Sequence, residues 1–322
     1  MSKLLHVQDL VVNFALRNQD LTALNGVNFS LGHGERLGLV GESGAGKSVA
    51  GFSIIGLISK PGYIASGRIL FEDRELHRLT QEEMRRIRGN QISMVFQDPM
   101  MTLNPVLTIG TQMVETLQVH QDLSQKKAQD IAVEKLRQVY IPSPERRLEQ
   151  YPHEFSGGMR QRIIIAISML NNPKLIIADE PSTALDVTIQ AEIMDLFIEL
   201  CEQEHMGLIL ITHDLAVVSE TTEKIAVMYA GKIVEKGYTQ DVVTNPQHPY
   251  TQGLIAALPQ EGKAAGTRLS QIPGTMPTLT SIPSGCSFHP RCPYRKDICD
   301  QEPPALYRGQ NPDGEVACHL FA

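Results

Sequence analysis

Four short apolar runs punctuate the first two-thirds of the chain: Leu37-Gly38-Leu39-Val40, Ile92 to Phe96, Leu175-Ile176-Ile177-Ala178 and Leu208-Ile209-Leu210-Ile211. Runs of this length without polar alternation predict strands buried on both faces, as in a parallel sheet. Each run stops abruptly in glycine or polar residues, at Gly41, Gln97, Asp179-Glu180 and Thr212-His213. Ligands of open α/β sheets bind beyond the carboxyl ends of the strands, so these four ends nominate one site. Between Thr80 and Phe155 the pattern changes. Gln81-Glu82-Glu83-Met84-Arg85-Arg86 and Lys126 to Val139 are charged and helix-favouring, which predicts an inserted helical subdomain over about 80–160. After about residue 240 it breaks again. Eleven of the 19 prolines lie between Pro246 and Pro312, and so much proline excludes mostly regular helix or sheet there. The predicted class is therefore α/β, with residues 1–240 as the main domain and 241–322 as a separate extension.

The 322 residues suit about two domains, and 42% apolar residues supply an ordinary core. The longest apolar stretch, Ile163 to Leu170, is far short of the ~20 residues of a membrane helix. Met1 to His6 offers no apolar export segment, so the expectation is a cytosolic chain that reaches a membrane only by docking on other subunits. A net charge of −7, no Trp and 5% aromatic residues argue against a nucleic-acid partner.

Gly41-Glu42-Ser43-Gly44-Ala45-Gly46-Lys47-Ser48 has the spacing of a phosphate-binding loop, G-x-x-x-x-G-K-[ST]. Its glycines let backbone N–H groups wrap a phosphate, Lys47 reaches the outer phosphates and the Ser48 hydroxyl suits Mg²⁺. Asp179 ends an apolar strand, the position from which such enzymes hold the metal, and Glu180 follows it as the residue to polarise water. Gln97 and His213 also follow strands, within reach of metal or water and of a γ-phosphate. Ser156-Gly157-Gly158 precedes a helical run from Arg160 to Leu170, so Ser156 reads as an N-cap whose helix start exposes N–H groups to a phosphate.

With these motifs in this order, residues 4 to about 240 resemble an ATP-binding cassette (ABC) subunit. Further residues resemble the dipeptide/oligopeptide/nickel importer ATPases: Phe96-Gln97-Asp98-Pro99, Leu103-Asn104-Pro105, Met228-Tyr229-Ala230-Gly231, His248-Pro249-Tyr250-Thr251 and Pro290-Arg291-Cys292-Pro293-Tyr294. The resemblance implies a P-loop NTPase fold, a RecA-like α/β core with an antiparallel β subdomain and the inserted helices. It makes Gly41–Ser48 the Walker A loop, Ser48, Gln97 and Asp179 the Mg²⁺ residues, Glu180 the catalytic base and His213 the switch histidine. Phe14 becomes the aromatic that stacks on adenine, and Ser182 to Asp186 the D-loop. Ser156-Gly157-Gly158 becomes the signature that grips ATP bound to a partner; Phe155 and Met159 stand where the family usually has Leu and Gln. The implied partners are a second ATPase subunit, a paralogue rather than an identical chain, two transmembrane permease subunits and an extracytoplasmic solute-binding protein. The implied role is peptide uptake powered from the cytoplasmic face of the membrane; the alternatives are uptake of nickel, a metal chelate or another small solute, or a non-transport ABC ATPase.

Cys286, Cys292, Cys299 and Cys318 crowd the tail as C-x5-C-x6-C-x18-C, whereas Cys201 sits on an apolar helical stripe with Leu196, Phe197 and Leu200. The spacing lacks zinc-ribbon pairs and matches no common ferredoxin run. Four thiolates suit a [4Fe–4S] cluster, which the resemblance also implies. His289 and His319 keep Zn²⁺ as an alternative, and unligated thiols are the third reading.

Overall fold

In the computed structural model, residues 3–17, 19–97, 102–182, 185–258 and 271–322 are described. The strands among them are β1 (Lys3–Ala15), β2 (Asp20–Gly32), β3 (Arg36–Val40), β4 (Gly62–Phe71), β5 (Arg74–Glu75) and β6 (Ile92–Val95), then β7 (Leu175–Asp179), β8 (Gly207–Thr212), β9 (Lys224–Tyr229), β10 (Lys232–Tyr238), β11 (Tyr307–Arg308) and β12 (Glu315–Val316). The helices are α1 (Lys47–Ile54), α2 (Gln81–Ile87), α3 (Ile109–His120), α4 (Gln125–Gln138) and α5 (Pro144–Arg147). They continue with α6 (Gly157–Ser168), α7 (Val187–Glu204), α8 (Leu215–Thr221), α9 (Thr239–Thr244) and α10 (Pro249–Ala256). The four apolar runs are β3, β6, β7 and β8, each within two residues of its predicted span. The chain divides into two compact units, one formed mainly by residues 78–209 and the other by 5–31, 36–77 and 210–322.

The first unit holds β6 and β7 as a parallel pair, in register from Ile92 opposite Leu175 to Val95 opposite Ala178. All five residues of β7 are buried, as expected of a strand covered on both faces. Helix starts here follow local chemistry. Thr108, Ser124, Ser156 and Asp186 each accept a backbone N–H two or three residues into α3, α4, α6 and α7, and Thr80 forms a full capping box with Glu83 at α2. Cys201 is buried on α7 with Leu196, Phe197 and Leu200, as its stripe predicted.

The second unit contains an antiparallel sheet in the order β2-β1-β4-β5. It also contains a run of strands in the order β11-β12-β10-β9-β3, in which β3 and β9 are parallel, from Leu37 opposite Lys224 to Val40 opposite Val227. The proline-rich segment has little regular structure of its own, yet its β12 adds to β10, with Glu235 opposite Val316. Helix α8 packs on β3 so closely that a Cβ at Gly38 would stand 2.5 Å from Val218 Cγ1. That glycine sets the height of β3 just before the phosphate loop. Gly38→Ala should lower stability by about 1–3 kcal/mol through overpacking. In a Val218→Ala background the same change should cost clearly less by denaturant unfolding; equal losses would mean that this contact does not limit the approach.

Candidate functional site

The loop at residues 41–48, the expected phosphate-binding loop, is shaped by its surroundings. A Cβ at Gly41 would lie 2.2 Å from the Met228 carbonyl oxygen, so only glycine lets the loop leave β3 against the end of β9. Gly46 is the N-cap of α1 at φ 102°, a conformation that side-chain-bearing residues avoid. The Ala45 carbonyl accepts the Gly231 N–H at 2.9 Å, and the Gly231 carbonyl accepts the Asn25 N–H at 2.9 Å. Lys47 is buried, and its Nζ donates to the Gly41 and Glu42 carbonyls at 2.8 and 3.1 Å. Ser43 and Gly44 are exposed at the tip. In the same unit, His213 is exposed directly after β8, one residue before the Asp214 cap of α8. Phe14 is half-buried on β1, paired with Gly62 of β4.

The first unit carries the acidic residues. Asp179 is buried at the last position of β7. Glu180 follows at φ 45°, a left-handed conformation costly for a side-chain-bearing residue. Its Oε2 accepts a hydrogen bond from Gln97 Nε2 at 2.9 Å. Two strand-end residues far apart in sequence are thus in direct contact. Ser156 is the N-cap of α6, its Oγ accepting the Met159 N–H at 3.4 Å, and both Ser156 and Gly157 are exposed. Asp98 and Pro99 of the subfamily motif, and Thr183 and Ala184 of the expected D-loop, lie outside the described residues.

Cys286, Cys292, Cys299 and Cys318 all line one small cavity, together with His289 and His319, and all are free thiols. Burial pushes the Cys286 thiol up to about 11, and it raises Cys292 and Cys318 in the same direction. The Cys286 N–H donates to the Cys299 carbonyl at 2.8 Å, which ties two of the thiol-bearing turns together. His289 Nδ1 and His319 Nε2 lie 3.0 and 2.8 Å from backbone carbonyls and must be protonated there. Among the described residues no group of three or more His, Cys, Asp or Glu side chains is placed to hold a single metal ion, so the expected metal site gains no support here.

Three residues without a role in the sequence reading stand beside the loop. Arg291, a neighbour of Cys292, forms a two-bonded ion pair with Glu42 at 2.6 and 2.9 Å. The Tyr250 hydroxyl accepts the Glu42 N–H at 2.8 Å, and Tyr229 packs edge-on against Tyr250. No local signal could have joined positions so far apart in the chain.

The chain matches the ABC transporter family over residues 24–183 and the oligopeptide/dipeptide transporter C-terminal region over residues 234–299, with Cys318 beyond that match. It is 50% identical over 313 residues to the dipeptide transport ATP-binding protein DppD of Bacillus subtilis, covering 96% of this chain and 91% of that one. The oligopeptide transport ATP-binding protein OppD of Escherichia coli is 48% identical, covering 94% of this chain and 89% of its own. This chain belongs to the oligopeptide/dipeptide family of ABC transporter ATP-binding proteins. The dimeric structure of a bacterial ABC transporter cassette superposes with a TM-score of 0.65 at 26% identity, covering 73% of this chain and 98% of that one. The fold of this ABC ATPase is accordingly the P-loop cassette fold, and the described residues include no helix long and apolar enough to cross a membrane.

Steric room separates Gly157 from Gly158 in this ABC subunit. A Cβ at Gly158 would press Ile189 Cγ2 of α7 at 2.8 Å, whereas at Gly157 it would meet Leu185 Cδ2 at an ordinary 3.5 Å. Gly158→Ala should therefore cost about 1–3 kcal/mol of stability. Gly157→Ala should stay within about 0.5 kcal/mol. Denaturant titration of the two variants checks this; equal destabilisation would refute the packing assignment.

Proposed function

We propose that this chain is the ATP-hydrolysing subunit of an importer for di- or oligopeptides, working at the cytoplasmic face of the membrane. The observation that carries this is near-half identity, over almost its whole length, to dipeptide and oligopeptide transport ATP-binding proteins. In this reading residues 1–240 are the cassette and 241–322 the extension. Its partners are two permease subunits, a solute-binding protein and a second, paralogous ATPase.

The roles follow from residue chemistry. Backbone N–H groups of Gly41–Ser48, the Lys47 ammonium and the start of α1 supply positive potential for the phosphates. Ser48, Asp179 and Gln97 supply oxygen ligands of the kind Mg²⁺ takes. Phe14 offers the adenine a ring face. Glu180 acts as base toward the attacking water, and the Gln97 hydrogen bond supports it by holding the carboxylate in one direction. His213 faces the γ-phosphate. Exposure of Ser156 and Gly157 at a helix start supports their use by ATP held on the partner ATPase. Closure over ATP and reopening after hydrolysis give the two states that drive transport.

Glu180→Gln tests the assignment, since an amide keeps the shape of the carboxylate but cannot take a proton. The assembled complex should bind MgATP with affinity near wild type and turn over about 100-fold more slowly or worse, the usual scale of general-base catalysis. Turnover within a factor of two of wild type would reject Glu180 as the base. Stimulation of wild-type turnover by peptide-loaded, but not nickel-loaded, solute-binding protein would support peptide as cargo.

For the tail, the reading is that Cys286, Cys292, Cys299 and Cys318 hold a [4Fe–4S] cluster. Its support is the convergence of four thiols on one cavity. A four-iron cluster takes one thiolate per iron. The group would cross-link a segment with little core of its own. Anaerobically purified chain should contain about four irons. Ser at any of the four positions should lower that content, and Cys201→Ser should not. Stoichiometric zinc without iron would overturn the cluster in favour of Zn²⁺, and neither metal would leave free thiols.

A further inference from the structure

Glu42, the second residue of the phosphate loop, is held at three points. Its carboxylate accepts two hydrogen bonds from Arg291, Nη1 to Oε2 at 2.6 Å and Nη2 to Oε1 at 2.9 Å. Its N–H donates to the Tyr250 hydroxyl at 2.8 Å, and its carbonyl accepts Lys47 Nζ at 3.1 Å. Two of the three partners come from beyond residue 240. Neither is a casual surface contact, for Tyr250 is fully buried and Arg291 is only 7% exposed.

Arg291 is itself fixed from every side. Its Nε donates to the Pro273 carbonyl at 2.8 Å, and its guanidinium lies 5.8 and 6.0 Å from the ring centroids of Tyr229 and Phe288. Tyr229, Tyr250 and Phe288 pack on one another with centroids 4.7 to 5.4 Å apart. A planar fork meeting a carboxylate with two bonds sets direction as well as charge, which an ammonium could not do. The pairing also has an electrostatic consequence. A carboxylate within the loop repels a triphosphate, and Arg291 cancels that charge where it sits.

We propose that Arg291, backed by Tyr250, is a positioning residue of the nucleotide site, orienting the entry of the phosphate loop and neutralising Glu42 so that the loop accepts ATP. The extension then completes the nucleotide site, where the sequence alone suggests an appendage. This rests on reading residues 41–48 as the ATP-binding loop.

The test is the MgATP dissociation constant of the full-length chain, measured with thermal stability for wild type, Arg291→Gln, Arg291→Lys, Glu42→Gln and the Arg291→Gln/Glu42→Gln double variant. Arg291→Gln leaves Glu42 uncompensated and should weaken binding about tenfold, the scale of one unpaired charge near a partly buried anion. The double variant, carrying neither charge, should return to within about threefold of wild type, with Arg291→Lys between them. Recovery on removing a second side chain is not what lost packing produces. Wild-type affinity in Arg291→Gln, or a double variant as weak as Arg291→Gln, would overturn the proposal. Lys47→Ala separates the two levels. If it retains MgATP affinity, the loop reading itself fails; if it alone loses binding, only the role of Arg291 fails.

Discussion

Residues 41–46 belong to no strand or helix, so the shape of this loop is imposed by its neighbours. That constraint organises the second unit of this chain. A Cβ on Gly41 would lie 2.2 Å from the Met228 carbonyl oxygen, and Ala45 is tied through Gly231 to Asn25. The parallel pairing of β3 with β9 sets the launch point, and Gly38 lets α8 close over it.

The acidic side follows a similar rule by other means. β7 is buried throughout and ends on a buried Asp179, and the chain turns at the half-buried Glu180, at φ 45°. Local strain of this kind persists only where the surroundings over-determine it, here a continuous buried strand before it and the Gln97 amide on its carboxylate.

Beyond residue 240 the described residues include few helices and only two-residue strands, yet they belong to the unit that carries residues 41–48. β12 extends β10, and the Tyr229, Tyr250 and Phe288 rings give Arg291 a rigid seat. The buried Glu235 carboxylate accepts the Gln247 and His248 N–H groups, anchoring the start of α10 and with it Tyr250. Aromatic packing and paired charges here do the work that a larger aliphatic core does elsewhere.

Local chemistry made much of this legible. Unbroken apolar runs announced β3, β6, β7 and β8, and Ser156 announced the start of a helix. These are signals whose physics acts within a few residues, so one segment suffices to read them. The Gln97–Glu180 bond and the Glu42–Arg291 fork join residues 83 and 249 positions apart. Only the tertiary structure decided them, because whether a charge finds its partner depends on which strands pair and which rings pack, and no local pattern encodes that.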